Sequence, residues 1–243
     1  ISLPNRRFLL LLLRQPRSPT LADIRLNCDQ SGWGITPIIG ADVKLGKWNF
    51  GAKYEFMTNL NIENKTKQLD LINVDKKYLT AYQDGVNTPN DIPSLLTIAV
   101  GYEILPTLRT SVEYHFFDDK SADMAERKQK YLTKGTNEYL AGIEWDATKQ
   151  LTISGGYQKT DYGLSDDFQT DTSFYCDSYS LGFGARINFN QALSLDIAYF
   201  WTNYSDYTKN NPRGLADASK KITDIDVYSR TNKVFGISLN YKF

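Results

Sequence analysis

Nine times along this chain apolar residues recur at every second position, and the connections between these runs alternate between short and long. The stretch "LGFGARINFNQALSLDIAYFW", residues 181–201, shows the pattern twice. Leu181, Phe183, Ala185 and Ile187 fall on one side, and Gly182, Gly184, Arg186 and Asn188 on the other. After a short turn, Leu193, Leu195, Ile197, Tyr199 and Trp201 oppose Ser194, Asp196, Ala198 and Phe200. Successive side chains of a strand point to opposite faces, so a period of two is the signature of a strand with one apolar face. The other runs begin at Ile35, Trp48, Leu96, Leu108, Tyr139, Leu151 and Phe235. One such run is a weak signal, but nine in succession predict an all-β chain.

The connections narrow the choice. Turns near Gly46, Pro106, Ala147 and Asn190 are a few residues long, whereas 57–91, 118–136, 160–175 and 203–230 are long and polar. A soluble sandwich has no reason to hold every long loop at one end. A transmembrane barrel does, with short turns on the periplasmic side and long loops outside. Aromatic residues agree with this. Trp48, Tyr102, Trp145 and Phe243 lie near the short turns, and Tyr54, Tyr114, Tyr139, Tyr157, Tyr179, Tyr199 and Trp201 lie toward the long loops. Tyr and Trp rings suit the headgroup level of a bilayer, where one end is apolar and the other wet. The reading is a transmembrane antiparallel β-barrel over residues 33–243, with long extracellular loops carrying short helices.

Composition excludes the main alternatives. The mean hydropathy is −0.43, and no run reaches the ~18 apolar residues a spanning helix needs. A spanning strand shows lipid only every second residue, so modest hydropathy is compatible with a membrane. Lys+Arg and Asp+Glu both number 28, so no basic surface suggests nucleic acid. A single His and two cysteines offer no metal site or cofactor anchor. Cys28 and Cys176 are compatible with a disulfide or with two free thiols. The opening "RRFLLLLLR" has six apolar residues before Arg14, fewer than the roughly 7–15 of a secretory segment. Residues 1–32 are read as an irregular lead-in: the tail of an extracellular loop or a degraded export segment.

Ser111, Glu113 and His115 share one face of a single run and invite a hydrolase reading. Residues two apart on a strand are separated by roughly 6.5–7 Å, so Ser111 does not readily reach His115. No catalytic residue is assigned. The polar faces carry Arg109, Glu113, His115, Glu138, Glu144, Arg186 and Asp196, the predicted lining of the lumen, where charges of both signs brace neighbouring strands. In the loop "KQLDLINVDKKYLTAYQDGV", residues 67–86, Leu69, Ile72, Leu79 and Tyr82 recur at roughly helical spacing. "DMAERKQKYL", residues 123–132, reads as another short surface helix.

The last ten residues, "VFGISLNYKF", resemble the C-terminal signal of bacterial outer-membrane barrels. That resemblance implies export to the outer membrane and insertion by the barrel-assembly machinery. The stretch "CDQSGWGITPIIGADVKLGKWNFGAKYEF", with "YHFFDDKSADM" and "LSLDIAYFW", resembles the FadL/TodX-type family in its Bacteroidetes-like form. These are outer-membrane transporters for long-chain fatty acids and other hydrophobic compounds. The resemblance implies a barrel of fourteen strands, of which about nine are present, so that either the chain is a piece of a longer product or the N-terminal segment helps to close it. It also implies passive, ligand-gated diffusion by a monomer that takes an apolar ligand from lipopolysaccharide. Leu69, Leu71, Ile72, Tyr78 and Leu79 are then the candidates for first contact in a loop groove. The alternative is a non-transporting structural or adhesive barrel that binds partners through its loops.

Overall fold

The computed structural model describes residues 6–9, 23–72, 80, 82–170, 173–214 and 221–242. In chain order the strands are β1 (Arg6–Leu9), β2 (Asp23–Ser31), β3 (Ile38–Leu45), β4 (Trp48–Glu55), β5 (Asn61–Ile72), β6 (Asn87–Pro89), β7 (Leu95–Leu105) and β8 (Leu108–Phe117). They continue as β9 (Thr136–Asp146), β10 (Leu151–Asp161), β11 (Ser178–Asn188), β12 (Leu193–Tyr204), β13 (Tyr207–Gly214), β14 (Lys221–Tyr228) and β15 (Thr231–Tyr241). Two compact units emerge: one built on 1–37, 56–93 and 121–129, the other on 38–55, 94–120 and 130–243.

The larger unit is a nine-stranded antiparallel sheet in the order β15-β12-β11-β10-β9-β8-β7-β4-β3. These are the nine alternating runs, each beside its sequence neighbour apart from the inserted segments. Short turns alternate with long connections, as the sequence predicts. Local chemistry closes the short ones. Gly46, the first of two loop residues between β3 and β4, has φ +61, as a type II′ hairpin turn requires. Thr148 Oγ1 accepts the N–H groups of Gln150 and Leu151, and Asn190 Oδ1 accepts those of Ala192 and Leu193. Both are side-chain turns of the kind that lets Thr and Asn replace a backbone partner.

Register then locks the faces together. Residues directly opposite across a ladder share a face, because a slip of one residue would turn every side chain over. The row Val43–Phe50–Val100–Val112–Ala141–Tyr157–Leu181–Trp201 runs outward across eight strands. Val43, Phe50 and Val112 are all exposed, on the face that meets lipid in a barrel. Ring pairs mark both ends of that face. Trp48 and Tyr102 have centroids 4.5 Å apart beside the short turns, and Tyr114 and Tyr139 are 5.5 Å apart toward the long loops. Among the described residues the sheet is open, with β3 and β15 unpaired on their outer edges. No described helix is long and apolar enough to cross a membrane.

The smaller unit takes in part of the lead-in. Residues 23–31 are not irregular: β2 pairs along its length with β5, within a sheet ordered β1-β2-β5-β6. The 67–86 loop departs from its helical reading too. β5 continues as a strand to Ile72, because Leu69 and Leu71, two apart, meet Leu26 and Ile24 across the ladder. A period of two wins over the three-residue spacing of Leu69 and Ile72, a standing ambiguity of short apolar runs. The expected helix at 123–132 is instead a pair of 3-10 turns within Ala125–Tyr131, kinked where Glu126 and Arg127 take left-handed φ of 59 and 57. The 203–230 connection contains an antiparallel hairpin of β13 and β14.

Candidate functional site

The inner face of the nine-stranded sheet holds every predicted lumen residue, and it is organised in tiers. Toward the long loops, Glu138 is the centre of a hydrogen-bonded network. Its carboxylate accepts from Gln158 Nε2 at 2.8 Å and Thr160 Oγ1 at 3.0 Å. His115 Nδ1 lies 3.2 Å from Glu138, and its Nε2 lies 3.5 Å from Glu113. Ser180 and Thr202 complete the tier with a buried hydroxyl pair at 2.9 Å. Ser111 takes no part: its register partner is Gly142, four residues along β9 from Glu138. His115 is thus bracketed by two carboxylates.

Toward the short turns lies a belt of ion pairs. Arg109 reaches Glu144 at 2.6 Å and Asp146 at 2.9 Å. Arg186 binds Asp196 at 2.6 Å, and Asn240 donates to the same carboxylate at 2.9 Å. Lys53 and Glu55, which pair at 2.6 Å, lie instead at the long-loop end, on the rungs of Thr97 and Leu95. The planar guanidinium suits such forked contacts. These side chains are largely solvated, so each pair stabilises by at most about 1 kcal/mol. Their effect is to neutralise the wall locally.

Between the two tiers the wall thins. One cross-strand row reads Gly101–Ser111–Gly142–Gly156–Gly182–Phe200. It opens into a recess of about 780 Å³, lined also by Lys44, Lys47, Glu103, Arg109, Glu144, Ser154, Gly184 and Ala198. None of the row's glycines has a left-handed backbone. A Cβ at Gly142 or Gly156 would meet nothing closer than 3.4 Å, and at Gly182 nothing closer than the Phe200 ring at 3.5 Å. A Cβ fits at each of these positions, yet glycine in a strand is less favourable than alanine by roughly 0.5–1 kcal/mol. Sequence reading placed Gly182 on the polar face, but the row exists only in register, with neighbouring members 10 to 31 residues apart along the chain.

The long loops of the same unit have an apolar core of their own. Phe168 and Tyr175 pack with tilted rings at 5.6 Å, and Tyr162 and Tyr175 at 5.3 Å. Gln169, fully buried, accepts the Tyr175 N–H at 3.0 Å and donates to its carbonyl at 2.6 Å. Burial pushes the Tyr162 phenol up. The Tyr207 hydroxyl donates to Asp166 at 2.9 Å and is pushed up to about 12 by burial and that bond. The Asp119 carboxylate accepts the Thr136 N–H at 2.9 Å, and its burial raises it above its ordinary value of 3.8. Cys28 and Cys176 are both buried free thiols; burial raises that of Cys176, whose Sγ lies 3.4 Å from the Tyr228 carbonyl.

The predicted first-contact residues are only partly described. Leu69 is half-buried on β5. Leu71 and Ile72 end that strand, their side chains outside the described residues, as are Tyr78 and Leu79 entirely. Among the described residues no cluster of three or more His, Cys, Asp or Glu side chains could hold a metal.

No protein-family model and no curated protein matches the chain. Its architecture is similar to solved structures. A FadL homologue from Pseudomonas aeruginosa matches with a TM-score of 0.60 and 13% identity, over 90% of this chain and 63% of that one. The toluene transporter TodX of P. putida matches with a TM-score of 0.55 and 12% identity, over 91% of this chain and 53% of that one. The monoaromatic hydrocarbon channel CymD matches with a TM-score of 0.53 and 12% identity, over 88% and 53%. The chain thus has the FadL/TodX-type barrel fold and spans about half to two thirds of the length of these structures.

Proposed function

We propose that this chain is part of a bacterial outer-membrane conduit that passes hydrophobic compounds inward by passive diffusion. The observation that carries the reading is the two-sidedness of the nine-stranded sheet. Its outer face is apolar between aromatic girdles, and its inner face is polar, charge-paired and hollowed. The first suits lipid; the second suits a solute passing through a wet lumen. Similarity of fold to transporters named for toluene and other aromatic hydrocarbons supports the same reading.

In this mechanism an apolar molecule leaves lipopolysaccharide and adsorbs on extracellular-loop residues, for which Leu69, Leu71, Ile72, Tyr78 and Leu79 remain the candidates. Removing apolar area from water releases roughly 25 cal/mol per Å², enough for capture by a modest groove. The molecule then moves along the polar wall of Glu113, His115 and Glu138 to the ion-pair belt. Only its concentration gradient drives it, so no nucleotide or cofactor is required. Long-chain fatty acids are one substrate class this mechanism accommodates. Insertion by the barrel-assembly machinery and function as a monomer belong to the proposal.

The test is uptake of radiolabelled oleate and toluene into vesicles containing the protein. Faster uptake than into empty vesicles is expected. Equal rates would refute transport and favour a structural or adhesive barrel.

A further inference from the structure

From the recess on the inner wall we infer a binding site for a neutral saccharide, stacked on Phe200 and held at its edges by Ser111, Ser154 and Gln158. The inference goes beyond the conduit reading: it needs the inner face of the sheet but no hydrophobic cargo.

Phe200 is the residue that breaks the polar pattern of that face. Flanked in sequence by the outward Tyr199 and Trp201, it shares the inward side of β12 with Asp196, Ala198 and Thr202, and its ring is exposed. A large apolar side chain left open on a polar wall is informative in a way that a buried one is not. Beside it Gly182, Gly156 and Gly142 carry no side chain at the same rung of three adjacent strands, although a Cβ fits at each. The row from Phe200 to Ser111 crosses four strand spacings, roughly 19 Å at about 4.8 Å each. The Phe200 ring covers the part at Gly182, which leaves length for two linked rings. The recess of about 780 Å³ runs into a smaller one of about 200 Å³, and the two share Ser111, Gly142, Gly156, Gly182 and Phe200. Such a space accommodates a small ligand.

The polar groups around this floor decide the class of ligand. The side chains of Ser111 and Ser154 have no hydrogen-bond partner among the described residues. Gln158 donates through Nε2 to Glu138 and Thr160, which leaves its Oε1 as an open acceptor. Glu113, whose one close contact is His115 Nε2 at 3.5 Å, has acceptor capacity to spare. A hydroxyl both donates and accepts, so a ring edged with hydroxyls satisfies this mixed set. A hydrocarbon would strip water from the same groups and return no hydrogen bond. A pyranose also has a C–H face, which suits the negative face of an aromatic ring. Charge agrees: across both recesses Lys44, Lys47 and Arg109 stand against Glu103, Glu113 and Glu144, so a ligand without net charge meets a wall without net charge.

The experiment is saturation-transfer NMR of cellobiose with the protein in a detergent that has no sugar headgroup. Cellobiose should bind, with transfer strongest at the C–H protons of one ring face. Phe200→Leu should weaken binding at least tenfold, and Phe200→Tyr, which keeps an aromatic face, should preserve it. Phe235→Leu is the same change on the outward face, opposite Tyr199 and outside both recesses, and should leave binding unchanged. Unchanged binding in Phe200→Leu, or equal loss in Phe235→Leu, would overturn the inference. Tighter binding of cellobionate, the acid of the same disaccharide, would overturn it too, since the site would then be one for an anion. If Phe200→Leu fails to fold, the unaltered protein decides: no transfer to cellobiose, or transfer spread evenly over its protons, would refute the site. Cellobiose binding without uptake of oleate or toluene would sink the conduit reading and leave this site standing.

Discussion

Replacing Ile197 by Arg, and separately its neighbour Ala198 by Arg, tests the two-faced sheet at one point. Ile197 lies in an outward row, flanked across the ladders by Ala185 and Ile237. It is the fifth residue of a strand of 12. At about 3.3 Å per residue and a tilt near 45°, the strand crosses roughly 28 Å. Ile197 then sits about 4 Å from the bilayer midplane. An arginine facing lipid at that depth costs about 2–4 kcal/mol. Ala198 points into the recess, where an arginine stays hydrated at a cost within about 0.5 kcal/mol. The two variants, one residue apart, should therefore differ by about 2–3 kcal/mol, or roughly 30- to 150-fold in the folding equilibrium. The assay is urea unfolding in lipid vesicles, with Ile197→Ala included to separate lost volume from added charge. Equal costs, or a greater cost at Ala198, would refute the face assignment and with it the lumen.

Three further outcomes follow from local structure. Asp119 is raised in the folded state by burial, so its folded form binds a proton more tightly than the unfolded chain does. Its charge therefore destabilises above the raised folded value, an effect that fades as the pH falls toward 3.8. Asp119→Asn keeps an oxygen for the Thr136 N–H and should slow loop proteolysis at pH 7, with the advantage gone at low pH; a pH-independent difference would count against this. Gly163 has no space for a side chain, since a Cβ there would lie 2.1 Å from the Lys134 carbonyl oxygen. Gly163→Ala should cost about 1–3 kcal/mol in the same urea assay, against a negligible effect for Gly155→Ala. Finally, both thiols are buried, so a thiol reagent at pH 8 should label neither until denaturant is added, and rapid labelling of Cys176 in the folded protein would contradict its placement.

The nine long strands and their two faces were legible because the signal is local. Leu193, Leu195 and Ile197 alternate with Ser194 and Asp196 regardless of what lies beside them, and a strand has only two faces. That Arg109, Glu113, His115, Glu138, Glu144, Arg186 and Asp196 share one face followed from the same alternation. The strands of the smaller unit were not legible. Leu69 and Leu71 fit a helix or a strand equally until Leu26 and Ile24 are placed opposite them. The hairpin of β13 and β14 was hidden by its polar composition, "TKNNPRG", which lacks apolar alternation.

What the amino-acid order determined by itself is which side chains look outward and which inward, because steric alternation along a strand needs no partner. Which inward residues meet was decided by the ladders. Arg109 finds Asp146 from 37 positions away, and Gly142, Gly156 and Gly182 become one floor, only because the short turns and their side-chain hydrogen bonds hold each register. That information resides in pairing between strands, and it comes into being when the sheet forms.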